Sequence, residues 1–222
     1  VWLAFERFQD GMSHVYTRHQ KKGETAWSDA VRLSAEGTLH NGGACVAASV
    51  PGDTTWHPGD AAVWWTSRAG ERWSVESAAL SRAGARRAPP GGGAGRLAAP
   101  AAAKTAVAYV VAMERHDGEA TAIVATAADP RTGGGPQSAV LSTPGADAAN
   151  AAVAAAPDGS AWAAWDEWFD SADLGGRADG GEPPKSDVAH HKFAEGAYRV
   201  VLRRWDGTAW GEPIAVPTDG AH

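Results

Sequence analysis

The chain has 222 residues, a net charge of −6 and a single cysteine, Cys45. That length allows one all-β domain or two small domains with a substantial core. The acidic balance argues against a nucleic-acid-binding stripe, the lone cysteine excludes an intrachain disulfide, and no apolar run approaches the roughly 20 residues of a membrane span.

In chain order, the opening "VWLAF" reads as an apolar strand. A natural chain rarely starts inside a strand, and neither an initiating methionine nor a signal peptide precedes this one, so it reads as a processed or excised piece of something longer. Next, "SHVYTRHQKKGETAWSDAVRLS" gives an alternating strand, a turn at Gly23, Trp27 and a closing strand. "CVAASV" follows as another apolar strand, in which Cys45 is a small packing residue rather than a reactive thiol. "AAVWWTSRAGERWSVESAALS" repeats the hairpin, with Val63, Gly70, Trp73 and Leu80 in matching places. After "RLAAPAAA" and "AVAYVVAM", the stretch "ATAIVATAADPRTGGGPQSAVLS" is a weaker copy without tryptophan. The last unit runs from "AAVAAA" through "PDG" and "SAWAAWDEW" to "YRVVLRRWDGTAWGEPIAV". Here Val200, Arg203, Trp210 and Ile214 align with Val15, Arg18, Trp27 and Val31 of the first hairpin. No segment carries a sustained helical period, so the fold class is all-β.

Leu33, Leu80, Leu141 and Val216 close the four copies, and "DSADLGGRADGGEPPKSDVAHH" is an insertion in the last. Setting it aside leaves a period of roughly 40 to 50 residues, which points to a β-propeller. The expected architecture is four blades of up to four antiparallel strands over residues 1–36, 37–83, 94–144 and 148–218. They form a single domain, 1–222, as a ring by themselves or as part of a larger one. The first blade has three strands. Tryptophans 2, 27, 64, 73, 162, 205 and 210 recur in register and are expected in the core.

The phrase "PDGSAWAAWDEWFD…YRVVLRRWDGTAWGEPIAV" resembles bacterial extracytoplasmic propellers of the TolB-like and sialidase-like superfamily, although Asp206 directly precedes Gly207 and no true Asp-box is present. The resemblance implies a secreted or periplasmic bacterial protein. It also implies that further blades, or a metal-dependent hydrolase domain, belong to the same polypeptide. The arginine-, alanine- and glycine-rich composition agrees with a GC-rich bacterial genome.

If the strand order holds, the loops between second and third strands gather on one face. They contain "ERFQDGMS", "PGDTTWHPGD", "ERHDGE" and the long segment from "DEWFD" to "KFAEG". The ligand-binding candidates there are Arg7, Asp10, Trp56, His57, Arg115, His116, Trp168 and Asp170. Glu6 and Asp166 are the weak catalytic candidates, from different loops; Asp166 with Glu167 makes a poor dyad because neighbours on a strand point to opposite faces. His190 and His191 are weak metal candidates, and no cofactor is implied. Two readings of function stay open. One is a non-catalytic propeller module presenting this face to a glycan, peptide or partner domain. The other is a carbohydrate-active enzyme of the sialidase-like kind, or the propeller part of a larger metal-dependent hydrolase.

Overall fold

The structure, a computed structural model, describes residues 1–38, 40–48, 60–81, 84–91, 96–117, 120–128, 137–169 and 197–216. Among them the chain is all-β, without a helix, in four antiparallel sheets. Sheet one holds β1 (Trp2–Gln9), β2 (Met12–His19) and β3 (Val31–Arg32). Sheet two holds β4 (His40–Ala48), β5 (Ala61–Ala69), β6 (Arg72–Ser81) and β7 (Gly84–Gly91). Sheet three holds β8 (Arg96–Lys104), β9 (Tyr109–Asp117), β10 (Ala120–Ala128) and β11 (Gln137–Val140). Sheet four holds β12 (Asp147–Ala155), β13 (Ala161–Phe169), β14 (Ala197–Trp205) and β15 (Ile214–Ala215). Spatial order follows chain order in every sheet. No helix of the described residues is long and apolar enough to cross a membrane.

Period-two side chains turn each sheet into two faces, and the sheets pack in chain order. The face toward the preceding sheet is here called leading, and the face toward the following one trailing. Val15 and Leu33 on the trailing face of sheet one meet Val63, Trp65 and Leu80 on the leading face of sheet two. Val75 of sheet two packs with Leu97, Val111 and Met113 of sheet three. Ile123 and Leu141 of sheet three pack on Trp165 and Val201 of sheet four. Each large apolar side chain fully buried this way contributes about 1.5–3 kcal/mol. The first strands also follow one another, β4 against β8 and β8 against β12. Between sheets one and four the described residues show no comparable packing.

Four expectations need correction. The hairpin over 61–81 is strands two and three of its sheet, not three and four, because β7 follows it. Leu80 accordingly faces back toward sheet one, while Leu33 and Leu141 face forward. The reason is that both kinds of hairpin alternate around a glycine turn, so the pattern does not say which two strands it joins. "CVAASV" belongs to the first strand of its sheet, and "PGDTTWHPGD" therefore joins β4 to β5. That connection leaves the sheet where Ala48 pairs with Ala61, at the opposite end from the turns between second and third strands. Sheet two runs to Gly91, past the expected boundary at 83. Of the seven tryptophans expected in the core, Trp205 is buried and Trp27 is exposed; Trp65 and Trp165 are the indoles that fill the sheet interfaces.

Candidate functional site

β1, β5, β9 and β13 end at the same end of the molecule, and one position there recurs four times. Glu6, Thr66, Glu114 and Asp166 stand opposite Val15, Val75, Ile123 and Val200, all on trailing faces. The first strands of the following sheets carry a bulge at the matching height, between Gly42 and Cys45, Ala98 and Ala101, and Ala149 and Ala152. Each bulge holds one residue with positive φ: Gly43 at 62°, Ala99 at 44° and Asn150 at 58°. A bulge takes an amide out of the strand ladder and leaves it needing an acceptor.

The carboxylates supply that acceptor across the sheet interfaces. Gly43 N–H donates to Glu6 Oε1 at 2.7 Å, and Asn150 N–H donates to Glu114 Oε1 at 3.0 Å. The Asn150 side-chain amide in turn donates to Asp166 Oδ2 at 3.0 Å. Gly42 leaves little room beside the first bond: a Cβ there would lie 3.2 Å from Glu6 Oε2, so the carboxylate would have to shift by a few tenths of an ångström. Thr66 Oγ1, in the equivalent place on sheet two, is buried without a partner and lies 3.8 Å from where a Cβ on Gly43 would be.

Around Glu114 the set extends further. His116 Nε2 lies 3.6 Å from Glu114 Oε2, and its Nδ1 is 2.9 Å from Thr121 Oγ1. Thr121 N–H donates to Asp147 Oδ1 at 2.9 Å, again from sheet three to sheet four. No cluster of three or more metal-ligating side chains occurs among the described residues.

Glu167 sits beside Asp166 on the opposite face and is fully buried. Its Oε1 accepts from Thr143 N–H at 2.7 Å and from the Trp165 indole at 3.0 Å. Its Oε2 accepts from Arg199 Nε at 3.0 Å and Nη2 at 2.7 Å. Burial pushes the carboxyl up, but the Thr143 amide, the indole and the guanidinium together outweigh it and hold it below its ordinary value. Arg199 Nη2 also donates to Thr143 Oγ1 at 2.8 Å, so the group fastens sheet four to the segment entering it. Adjacent positions thus lie on opposite faces of sheet four and make no acid–base pair, as the strand period predicts.

Those of the expected binding residues that are described do not share one face. Arg7 lies on the leading face of sheet one, its guanidinium 5.6 Å from the Tyr16 ring. Arg115 lies on the leading face of sheet three, one position from His116 and therefore turned the other way. Asp10 is exposed in the β1–β2 turn, where it and Gly11 have φ of 53° and 77°. Trp168 is half-buried at the end of β13, opposite Asp147 and Tyr198. Trp56, His57, Asp170, His190 and His191 lie outside the described residues. Cys45 is half-buried in β4, and burial raises its thiol to about 11, in keeping with a packing role.

Sequence reasoning missed Asn150, Thr143 and Arg199. The available signal was the spacing of Trp165 and Glu167 on one face, with Arg199 directly across from Glu167, but that register becomes visible only when β13 and β14 are paired. At the other end of the sheets, Ser138, Val140, Arg203, Trp205, Thr208 and Trp210 help line an open cleft of about 370 Å³ between sheets three and four. Compared with models of known protein families and with curated proteins, the chain matches none.

Proposed function

We propose that the chain is a non-catalytic β-propeller module of a secreted bacterial protein, and that it presents the end bearing the second-to-third-strand loops to a glycan or a protein partner. The propeller reading is supported by sheets that follow one another in chain order, with spatial order matching sequence order in each, and by first strands that pack against one another. The single observation that carries the non-catalytic reading is the use made of the carboxylates. Glu6 and Glu114 accept backbone amides of the neighbouring sheets, and Glu167 is closed off by four donors. A general acid or a nucleophile on a glycosidic bond needs a carboxyl free to face the sugar.

The test is to screen the chain against panels of glycans and peptides with binding and cleavage read in parallel. This reading expects affinity without turnover, lost on Trp168→Ala. Turnover abolished by Asp166→Asn would replace it with the glycosidase reading, because Asp166 accepts from a side-chain amide, that of Asn150, rather than from a backbone amide of a neighbouring sheet.

A further inference from the structure

The two outer faces of the stack are built like the inner ones but lack the neighbour that covers the inner ones. On trailing faces, the same backbone bond fixes the same pair of side chains: Leu33 N–H donates to the Val15 carbonyl, Leu141 N–H to that of Ile123, and Val216 N–H to that of Val200, each at 2.8 Å. In sheets one and three these residues are sealed by the next sheet, with exposures of 0% for Val15, 2% for Leu33, 0% for Ile123 and 2% for Leu141. In sheet four Val200 is 37% exposed and Val216 38%.

The leading face of sheet one shows the converse. Leu3 is 45% exposed, while the residues at its register position in sheets two and four, Val63 and Ala163, are at 0%; the opening lies at this end of the face, since Tyr16 and His14 further along it are buried in the single copy. Arg18 adds a polar signature. Its counterpart Arg203 crosses from sheet four to sheet three, where Nη1 donates to the Leu141 carbonyl at 3.2 Å and the Val140 carbonyl at 3.4 Å, while Nε donates to Gly211 at 2.8 Å. Arg18 Nε is buried without an acceptor, and its guanidinium lies 6.0 Å from the Phe5 ring. The carbonyls it would need, by analogy with Val140 and Leu141, are those of Ala215 and Val216, and they stand on the uncovered face of sheet four.

We propose that a second copy of this chain docks the leading face of its sheet one onto the trailing face of sheet four, repeating between copies the packing that joins the sheets within one. A second copy is the occupant because one chain carries both halves of the seam. Arg7, Arg18 and Arg32 lie on one half; on the other lie Asp166 and Arg204, the latter already paired with Asp158 at 2.6 Å. The seam is head-to-tail, so each copy uses two different surfaces. It stands whether or not the module binds a ligand.

The experiment measures molar mass in solution for the chain and for Leu3→Asp and Val200→Asp. Both positions are exposed in the single copy, so folding is retained, and far-ultraviolet circular dichroism checks it. The unmodified chain is expected to have twice the monomer mass or a higher multiple, and each variant the monomer mass. Mixing the two variants must restore a species of twice the mass, since the intact Val200 face of one fits the intact Leu3 face of the other. A monomeric unmodified chain, a variant that still associates alone, or a mixture that stays monomeric would each overturn the proposal.

Discussion

Glu6 on sheet one accepts the Gly43 amide of sheet two at 2.7 Å, and Glu114 on sheet three repeats the bond with Asn150 of sheet four, two interfaces further on. The carboxylates that a sequence reader takes for chemistry are here fasteners between sheets. Glu6→Ala and Glu114→Ala should each lower stability by about 1 kcal/mol, the net worth of a partly exposed hydrogen bond to a charged group. Because the two bonds lie in separate interfaces, the double variant should lose the sum. Urea denaturation of the four proteins decides it. Unchanged midpoints would return both residues to the list of candidates for binding or catalysis.

The bulges that receive these bonds make a reciprocal prediction. Gly43 has φ of 62°, and a Cβ added there would meet Pro100 at an ordinary 3.7 Å. Gly43→Ala should therefore destabilise by about 1–2 kcal/mol through backbone strain alone. Ala99, itself exposed on β8, already carries that strain at φ 44°. Ala99→Gly should stabilise, by up to about 1 kcal/mol after the added freedom of the unfolded chain is counted. Opposite signs at two equivalent positions, read as thermal midpoints, are the outcome to look for.

How much of this was legible in the sequence varied with the physics involved. The alternation of β2 and β14 aligned Val15 with Val200 and Arg18 with Arg203, and the structure keeps both pairs on matching faces, because period two depends only on the residue string. The separation of Asp166 from Glu167 was readable for the same reason. The misplacement of Leu80 arose where two different strand pairs share one pattern, so that only the hydrogen-bonded order of β4 to β7 could separate them. The Glu6–Gly43 bond was hidden more deeply. It depends on a register shift inside β4, and "HNGGACVAA" does not announce which of its glycines takes positive φ. Arg7 and Arg115 entered one imagined site because their loops are neighbours at one end. On the strands they turn away from Glu6 and His116, onto the leading faces of their sheets.

Glu167 is the most deeply buried carboxylate among the described residues. Replacing it with glutamine keeps its size but leaves Arg199 facing a neutral amide and turns one acceptor oxygen into a donor beside Thr143 or Trp165. Since Arg199 retains partial exposure, the loss should be about 2–3 kcal/mol, short of the full cost of breaking a buried pair. The folded carboxyl lies below its ordinary 4.5. Its contribution is therefore complete above that pH and declines as the pH falls below it. Denaturant midpoints of the native chain and Glu167→Gln should differ most near neutrality and converge in acid. A constant gap would deny that the charge is what matters.

His14 predicts a separate and earlier loss on acidification. It is buried on β2, across from Arg7, with its Nδ1 3.4 Å from Ser34 Oγ. Burial holds its pKa below the ordinary 6.5, Arg32 lowers it further, and Asp10 offsets part of this. Above 6.5 the ring is neutral in the folded and unfolded chains and has no effect on the balance between them. As the pH falls through 6.5 the unfolded chain takes up a proton that the folded chain resists, so stability drops until the lower folded value is passed. His14→Gln should flatten the stability profile just below 6.5 and leave the decline below 4.5, which belongs to the carboxylates, in place. Arg32→Ala should shift the loss to lower extent without removing it, because burial is the larger cause. Thermal midpoints across that range for the three proteins test the order of the two causes: a flat profile in Arg32→Ala alone would make the guanidinium, not burial, responsible.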